Sequence, residues 1–158
     1  MVDHISPEAR SNNMRRVRGK NTKPELLVRK ILHRLGYRFR LHRKDLPGRP
    51  DIFLPKYKLA IFVHGCFWHG HTGCKRAKLP ETRREFWTTK IGQNRLRDCM
   101  AVSSLQTLGI ATVTVWECEL KYQDKVTKRI DGATGRDSRV DGEATEGEGS
   151  RQTAARSD

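Results

Sequence analysis

The chain of 158 residues lacks any apolar run that could cross a membrane, which needs about 18 consecutive apolar residues. Its first residues, MVDHISPEARSNNMRR, lack the apolar stretch of a secretory signal. Cysteines are few: there are four, at positions 66, 74, 99 and 118. In a chain without a secretory signal they indicate metal ligands or buried thiols, and not disulfides. We therefore expect an intracellular, cytoplasmic protein without membrane contact.

Acidic residues are scarce relative to basic ones, with 18 Asp and Glu against 32 Lys and Arg. The imbalance is confined to residues 1–130, whose net charge is +17, whereas residues 131–158 have a net charge of −3. A folded region this basic indicates a polyanionic partner, most often a nucleic acid. A surface that served only solubility would not need charge of one sign.

Hydrophobic periodicity and capping signals predict one α/β domain over residues 1–130. Residues 131–158 have almost no large apolar residue and are predicted to be disordered. The predicted elements are a short helix beginning at Ser6, a helix between Thr22 and Gly36, a strand in YRFRL, a hairpin around Pro55 and Lys56, a helix from Thr82 to Leu108, a strand in IATVTVW and a closing helix from Glu117.

Residues 64–74, HGCFWHGHTGC, combine metal-binding and aromatic residues in one Gly-rich loop. Cys66, His71 and Cys74 are soft ligands that suit tetrahedral zinc. Cys118 completes the site if the strands that precede the two segments are parallel neighbours, because their ends then converge. Cys99 lies on the apolar stripe of the long helix, so we expect it to be a buried thiol. Four protein ligands would make the zinc structural.

Asp51 and His64 stand at the ends of the two predicted hairpin arms, which brings them together. Nucleases need hard oxygen ligands for a catalytic metal, but the residues alone leave Asp51 open to a role as an ordinary turn carboxylate. Glu25 similarly has capping-box spacing from Thr22. Trp87 precedes Ile91 by four residues and could extend the core stripe of its helix.

The chain resembles the very short patch repair (Vsr) endonucleases, a family within the restriction-endonuclease-like nucleases. The Pro50-Asp51 pair resembles the start of that superfamily's catalytic strand, although Phe62-Val63-His64 stands where its acid-x-Lys motif is usual. The resemblance is nearly continuous from Ser11 to Leu120 and runs through SNNMRRVRGKNTKPE, LPGRPDIFLP, IFVHGCFWHGHTGC, TRREFWTTKI, NRLRD and VWECEL. It implies a mixed β-sheet flanked by helices, with a structural zinc site.

The resemblance also implies catalytic roles. Asp51 and the backbone carbonyl of Val63 would bind Mg²⁺. His69 would act as the general base, and His64 would assist near the phosphate. Glu25 would be an outer carboxylate that reaches in from its helix.

Further roles follow from the same resemblance. The zinc ligands would be Cys66, His71, Cys74 and Cys118. The residues that contact DNA beside a T·G mismatch would be Phe67, Trp68, Trp87 and Met14.

These roles imply a Mg²⁺-dependent endonuclease that nicks one DNA strand 5′ of the T in a T·G mismatch, in repair of deaminated 5-methylcytosine. One active site suffices for a nick, so a monomer is expected, with mismatch-repair proteins as further partners. Two rival functions are a zinc-stabilised DNA-binding module without catalysis and a zinc hydrolase.

Overall fold

The computed structural model describes residues 19–136 together with residues 6, 8, 9 and 12. The hydroxyl of Ser6 accepts a hydrogen bond from the amide of Ala9 at 3.1 Å, as expected at the start of a helix. Residues 8, 9 and 12 are helical, and the other residues of that predicted helix, including Met14, lie outside the described residues, as do residues 137–158. Within the described ranges, no helix is both long and apolar enough to span a membrane.

A mixed four-stranded sheet forms the centre of the molecule. Its strands are β1 (Arg40–Leu41), β2 (Ile52–Leu54), β3 (Leu59–His64) and β4 (Ala111–Trp116), in spatial order β1-β2-β3-β4. Strands β1, β2 and β3 pair antiparallel, whereas β3 and β4 pair parallel. The predicted hairpin is confirmed, with a 3₁₀ turn at Pro55–Tyr57 between its arms. The strand predicted in YRFRL is only two residues long.

Within residues 19–136, three α-helices flank the sheet: α1 (Lys23–Arg34), α2 (Arg84–Thr107) and α3 (Gln123–Thr134). Helix α1 begins with the predicted Thr22–Glu25 capping box. The predicted closing helix is divided into a 3₁₀ turn, Glu117–Lys121, and α3. Helix α3 continues past residue 130, and the buried Asp131 accepts a 2.6 Å hydrogen bond from the Tyr37 hydroxyl.

The alternation of β3 produces two apolar clusters, one on each face of the sheet. Leu59 and Ile61 point towards α1 and α3, where they pack with Val28, Ile31, Leu32, Val126 and Ile130. Ala60 and Phe62 belong to the opposite cluster, with Ala101 and Leu105 of α2. His64 follows Phe62 by two residues and therefore lies on the same face as α2.

The prediction that Cys99 is a buried thiol is wrong, since Cys99 is exposed. The buried side chains of α2 are Trp87, Ile91, Ala101 and Leu105. At 3.6 residues per turn Cys99 lies about 120° around the helix from Leu105, so it cannot share the face that packs on the sheet.

Candidate active site and metal cluster

A cleft of about 560 Å³ opens beyond the carboxyl end of β3. The side chains that line it include carboxylates, imidazoles and an indole, among them Glu25, Asp51, Asp98, His64, His69 and Trp68. These side chains come from α1, the start of β2, the end of β3, the loop after it, and α2. The tertiary fold thus brings together predicted residues that are as much as 44 positions apart in the chain.

Asp51 is held at the floor of the cleft by the backbone of β3. The Val63 amide donates a 2.7 Å hydrogen bond to Asp51 Oδ2. Burial raises the pKa of Asp51 from 3.8 to about 6, and this hydrogen bond opposes the rise. Gly48 allows the preceding turn to approach α2, because a Cβ there would lie 2.4 Å from Ala101 Cβ and its φ is +70°.

Glu25 combines its capping role with a place in the cleft. Its side chain is buried, and its carboxylate lies within 4.8 Å of ligand atoms of both His42 and Asp51. The two interpretations of Glu25 from the sequence are therefore geometrically compatible. Neither His42 nor its proximity to Asp51 was predicted.

His69 is oriented by Asp98, a residue that sequence reasoning missed. His69 Nδ1 lies 2.6 Å from Asp98 Oδ2. A carboxylate only accepts hydrogen bonds, so Nδ1 is the donor and Nε2 of a neutral ring is left able to accept a proton. One feature of the sequence could have identified Asp98. It is the only carboxylate of α2 beyond the first turn, and it lies in the motif NRLRD.

His64 lies against His69 in the same cleft. The two imidazole rings are stacked, with centroids 3.7 Å apart. Burial lowers the pKa of His64 from 6.5 to about 4, the charge of His69 lowers it further, and Asp98 opposes the shift. His64 is therefore a neutral imidazole at pH 7 in the unliganded protein.

The four predicted zinc ligands form one cluster. The parallel register pairs His64 with Trp116, so Cys66 and Cys118 each lie two residues beyond a paired position and converge. His71 Nδ1 is 3.6 Å from Cys66 Sγ and 3.3 Å from Cys118 Sγ, and the ligand atoms of all four residues lie within 4.8 Å of one another. Tetrahedral zinc bonds of about 2.0–2.3 Å require ligand separations of about 3.5 Å, so the residues fit the ion.

The Cys/His cluster and His64 of the cleft share contacts with Trp116. The rings of His71 and Trp116 are stacked with centroids 4.2 Å apart, and the ring of His64 meets the edge of Trp116 at 5.3 Å. The Cys/His cluster thereby contacts the cleft through one rigid indole.

Phe67, Trp68 and Trp87 form one aromatic cluster, with ring centroids 5.1–6.0 Å apart. Phe67 and Trp68 are half-buried, and Trp87 is buried. Asn94 anchors the loop by donating a 2.7 Å hydrogen bond to the Trp68 carbonyl. The adjacent Phe86 is exposed and packs on Trp87, a contact that the sequence did not predict.

Comparison with known proteins identifies the class of this chain. A family model described as DNA mismatch endonuclease Vsr matches residues 2–76. The chain is 54% identical over 130 residues to the type II nicking enzyme V.XorIIP of Xanthomonas oryzae pv. oryzae, covering 82% of this chain and 95% of that protein. It is 43% identical over 127 residues to the DNA mismatch endonuclease Vsr of Escherichia coli, covering 80% and 81% respectively.

A nicking enzyme of Neisseria meningitidis serogroup A, V.NmeAIP, is 42% identical over 130 residues, covering 82% of this chain and 92% of that protein. The chain is accordingly an endonuclease. It belongs to the Vsr DNA mismatch endonuclease family.

Proposed function

We propose that this protein is a Mg²⁺-dependent endonuclease that nicks one strand of duplex DNA 5′ of the T in a T·G mismatch. Its physiological role is repair of mismatches produced by deamination of 5-methylcytosine. The observation that carries the proposal is the convergence of Asp51, His64, His69 and Trp68 on one cleft. A restriction-endonuclease-like arrangement of the sheet, with Asp51 at the head of β2, is part of the same proposal.

The chain's own residues supply positioning and proton transfer. Asp51 and the Val63 carbonyl would hold Mg²⁺, which when bound would supply Lewis-acid stabilisation of charge on the phosphate. His69 takes a proton from the attacking water at Nε2, because Asp98 occupies Nδ1. The ring of His64 lies beside the phosphate and, because it is neutral, places no positive charge next to His69. Glu25 orients the side chains next to Asp51 but does not contact the phosphate.

Mismatch recognition is assigned to the aromatic cluster. Phe67, Trp68 and Trp87 insert beside the T·G pair, with Met14 contacting the duplex from the other groove. A mismatched step costs less to unstack than a paired one, so a wedge favours it. The hydrogen bond from Asn94 and the metal cluster support this by fixing the loop that carries Phe67 and Trp68. The net charge of +17 over residues 1–130 provides sequence-independent attraction to DNA.

Zinc is proposed at Cys66, His71, Cys74 and Cys118 as a structural ion, since the four residues complete its coordination. The enzyme is proposed to act as a monomer, because a single-strand nick requires one active site, and mismatch-repair proteins are proposed as partners in the cell.

Nicking of strand-labelled duplexes tests the proposal. A T·G duplex and a matched T·A duplex are incubated with zinc-loaded protein in Mg²⁺, without added divalent ions, and with additional Zn²⁺ alone. We expect a nick only in the T strand of the T·G duplex and only in Mg²⁺. Binding without cleavage would identify a zinc-stabilised DNA-binding module, and cleavage in Zn²⁺ alone would identify a zinc hydrolase.

Asp51→Ala provides the matched protein control. It should abolish nicking and leave duplex binding nearly unchanged, because the binding charge is spread over many Lys and Arg side chains. Nicking by this variant in Mg²⁺ would contradict the proposed metal site.

A further inference from the structure

Arg29 lies one helical turn beyond Glu25 and makes contacts that extend behind the cleft. Its NH2 group donates to Glu25 Oε2 at 3.1 Å, and its NH1 group donates to Asn21 Oδ1 at 2.8 Å. NH2 also lies 3.1 Å from His42 Nε2. A guanidinium can only donate, so Nε2 of His42 is the acceptor in this contact.

The carboxylate of Glu25 is fully occupied by donors. Oε2 accepts from the amide of Asn21 at 2.9 Å as well as from Arg29, and Oε1 faces the hydroxyl of Thr22 at 3.0 Å and its amide at 3.4 Å. A carboxylate offers about four lone-pair sites, so these four donors leave none directed at a metal. Glu25 is thereby held as a neighbour of Asp51 and not as a metal ligand.

The space between Glu25, His42 and Asp51 has the ligand composition of a cation site. Ligand atoms of Glu25, His42 and Asp51 lie within 4.8 Å of one another, which suits a divalent ion with mixed oxygen and imidazole ligands. Arg29 already contacts two of these three groups with its NH2. The Nε of Arg29 is buried without a hydrogen-bond partner, which costs free energy. An arginine that served only helix stability would not need to accept this cost.

We propose that Arg29 is a positioning residue whose guanidinium fills the cation position among Glu25, His42 and Asp51. It thereby fixes Glu25 and keeps divalent ions out of this position. Because Glu25 and Asp51 also line the open cleft, a metal held by Asp51 would bind from the cleft and not from the side of Arg29. This inference rests on the proposed Mg²⁺-dependent nicking.

Electrostatics agree with the geometry. Burial is the main cause of the raised pKa of Asp51, the charge of Glu25 adds to the rise, and the charge of Arg29 opposes it. The guanidinium therefore offsets the repulsion between two neighbouring carboxylates.

Counting bound Mn²⁺ by electron paramagnetic resonance tests the exclusion directly. The full-length, zinc-loaded parent is compared with Arg29→Ala, Arg29→Gln and Arg29→Lys at equal free Mn²⁺. We expect the Ala and Gln variants to bind one more Mn²⁺ per chain than the parent. The Lys variant retains a cation and should bind the parental number. Lys30→Ala, an exposed cation of the same helix, is the matched control and should also bind the parental number.

The double variant Arg29→Gln/His42→Ala should lose the additional ion, because the imidazole ligand is gone. If Arg29→Ala fails to fold by circular dichroism, Arg29→Gln carries the measurement. Parental Mn²⁺ counts in both folded neutral variants would overturn the proposal. So would an additional ion in Arg29→Lys or in Lys30→Ala.

Single-turnover nicking of the T·G duplex provides a second readout. Loss of one charge-assisted contact to Glu25 should slow Arg29→Gln by about tenfold or more at saturating Mg²⁺, with duplex affinity unchanged. Arg29→Lys should recover part of the rate. A rate for Arg29→Gln equal to the parent's would overturn the positioning role. Failure of the parent itself to nick would instead contradict the proposed function, and the Mn²⁺ counts would still decide the exclusion.

Discussion

The imidazole rings of His64 and His69 are stacked 3.7 Å apart with their planes within 9° of parallel. Asp98 separates their roles, because its Oδ2 lies 2.6 Å from His69 Nδ1 whereas its Oδ1 is 3.9 Å from His64 Nε2. Of the two rings, only that of His69 is therefore hydrogen-bonded to a carboxylate, which orients it. Two chemically identical side chains thus acquire different hydrogen-bond partners from their surroundings.

Asp98→Asn should lower the single-turnover nicking rate by about 10²- to 10⁴-fold while leaving duplex affinity unchanged. An amide can donate to His69 Nδ1 and so stabilise the tautomer whose Nε2 already carries a proton. Asp124→Asn, at an exposed position in the first turn of α3, is the control and should nick normally. Equal rates for the two variants would contradict the orienting role of Asp98.

Nicking should decline as the pH falls below about 6, because the pKa of Asp51 is raised to about 6 and its carboxylate must be ionised to hold the metal. Raising the Mg²⁺ concentration should move this decline to lower pH, since metal and proton compete for one group. Rates measured from pH 5 to 8 at two Mg²⁺ concentrations check this. If the loss of nicking at low pH did not shift with the Mg²⁺ concentration, it would be due to a group other than Asp51.

The same shift has a consequence for stability without Mg²⁺. A carboxyl with a raised pKa favours the folded state below its ordinary pKa of 3.8, and this contribution is lost as the pH rises through about 6. Asp51→Asn should remove this component from the dependence of the melting temperature on pH.

Cys74→Ser should lower the melting temperature by at least about 10 °C, because a structural zinc site contributes roughly 10 kcal/mol of apparent binding free energy. The matched control is Cys99→Ser, which changes an exposed cysteine outside the metal cluster. Zinc content and thermal unfolding are measured on both variants. Unchanged zinc content and melting in Cys74→Ser would remove the structural-zinc assignment.

The double variant Phe67→Ala/Trp68→Ala should keep its zinc and its fold but lose preference for the mismatch. Base–aromatic stacking contributes about 1–3 kcal/mol per base, so two lost contacts predict about a 30- to 10⁴-fold weaker T·G complex. Binding to T·A and T·G duplexes is compared at one ionic strength, with Tyr122→Ala as an exposed aromatic control. Retained discrimination would assign mismatch recognition to other residues.

Gly70→Ala should reduce nicking and stability more than Gly73→Ala. Both glycines have a positive φ, +60° and +73°, so both substitutions introduce backbone strain. Only at position 70 would the new Cβ also lie 2.7 Å from Ile91 Cγ2, displacing the loop that carries His69 from α2. Single-turnover rates and thermal melts of the two variants separate displacement from strain. Equal losses would assign the effect to backbone conformation alone.

Local patterns were sufficient to predict much of the fold. The capping box at Thr22 and Glu25, the hairpin around Pro55 and the termination of α2 before Gly109 are confirmed, because each depends on residues close in sequence. The prediction that Cys99 is buried was wrong. A helix of 24 residues has several apolar stripes, and the surface against which it packs decides which stripe is buried.

The sequence by itself determined which cysteines and histidines are candidate metal ligands, the basic charge of residues 1–130 and, through the resemblance, which histidines and carboxylates are candidates for catalysis. Only the tertiary structure decided their partners. The pairing of His69 with Asp98 spans 29 residues, and the contact of Arg29 with His42 joins a helix to a loop. Such pairs depend on how α1 and α2 pack on opposite faces of the sheet, and neither spacing nor residue type encodes that geometry locally.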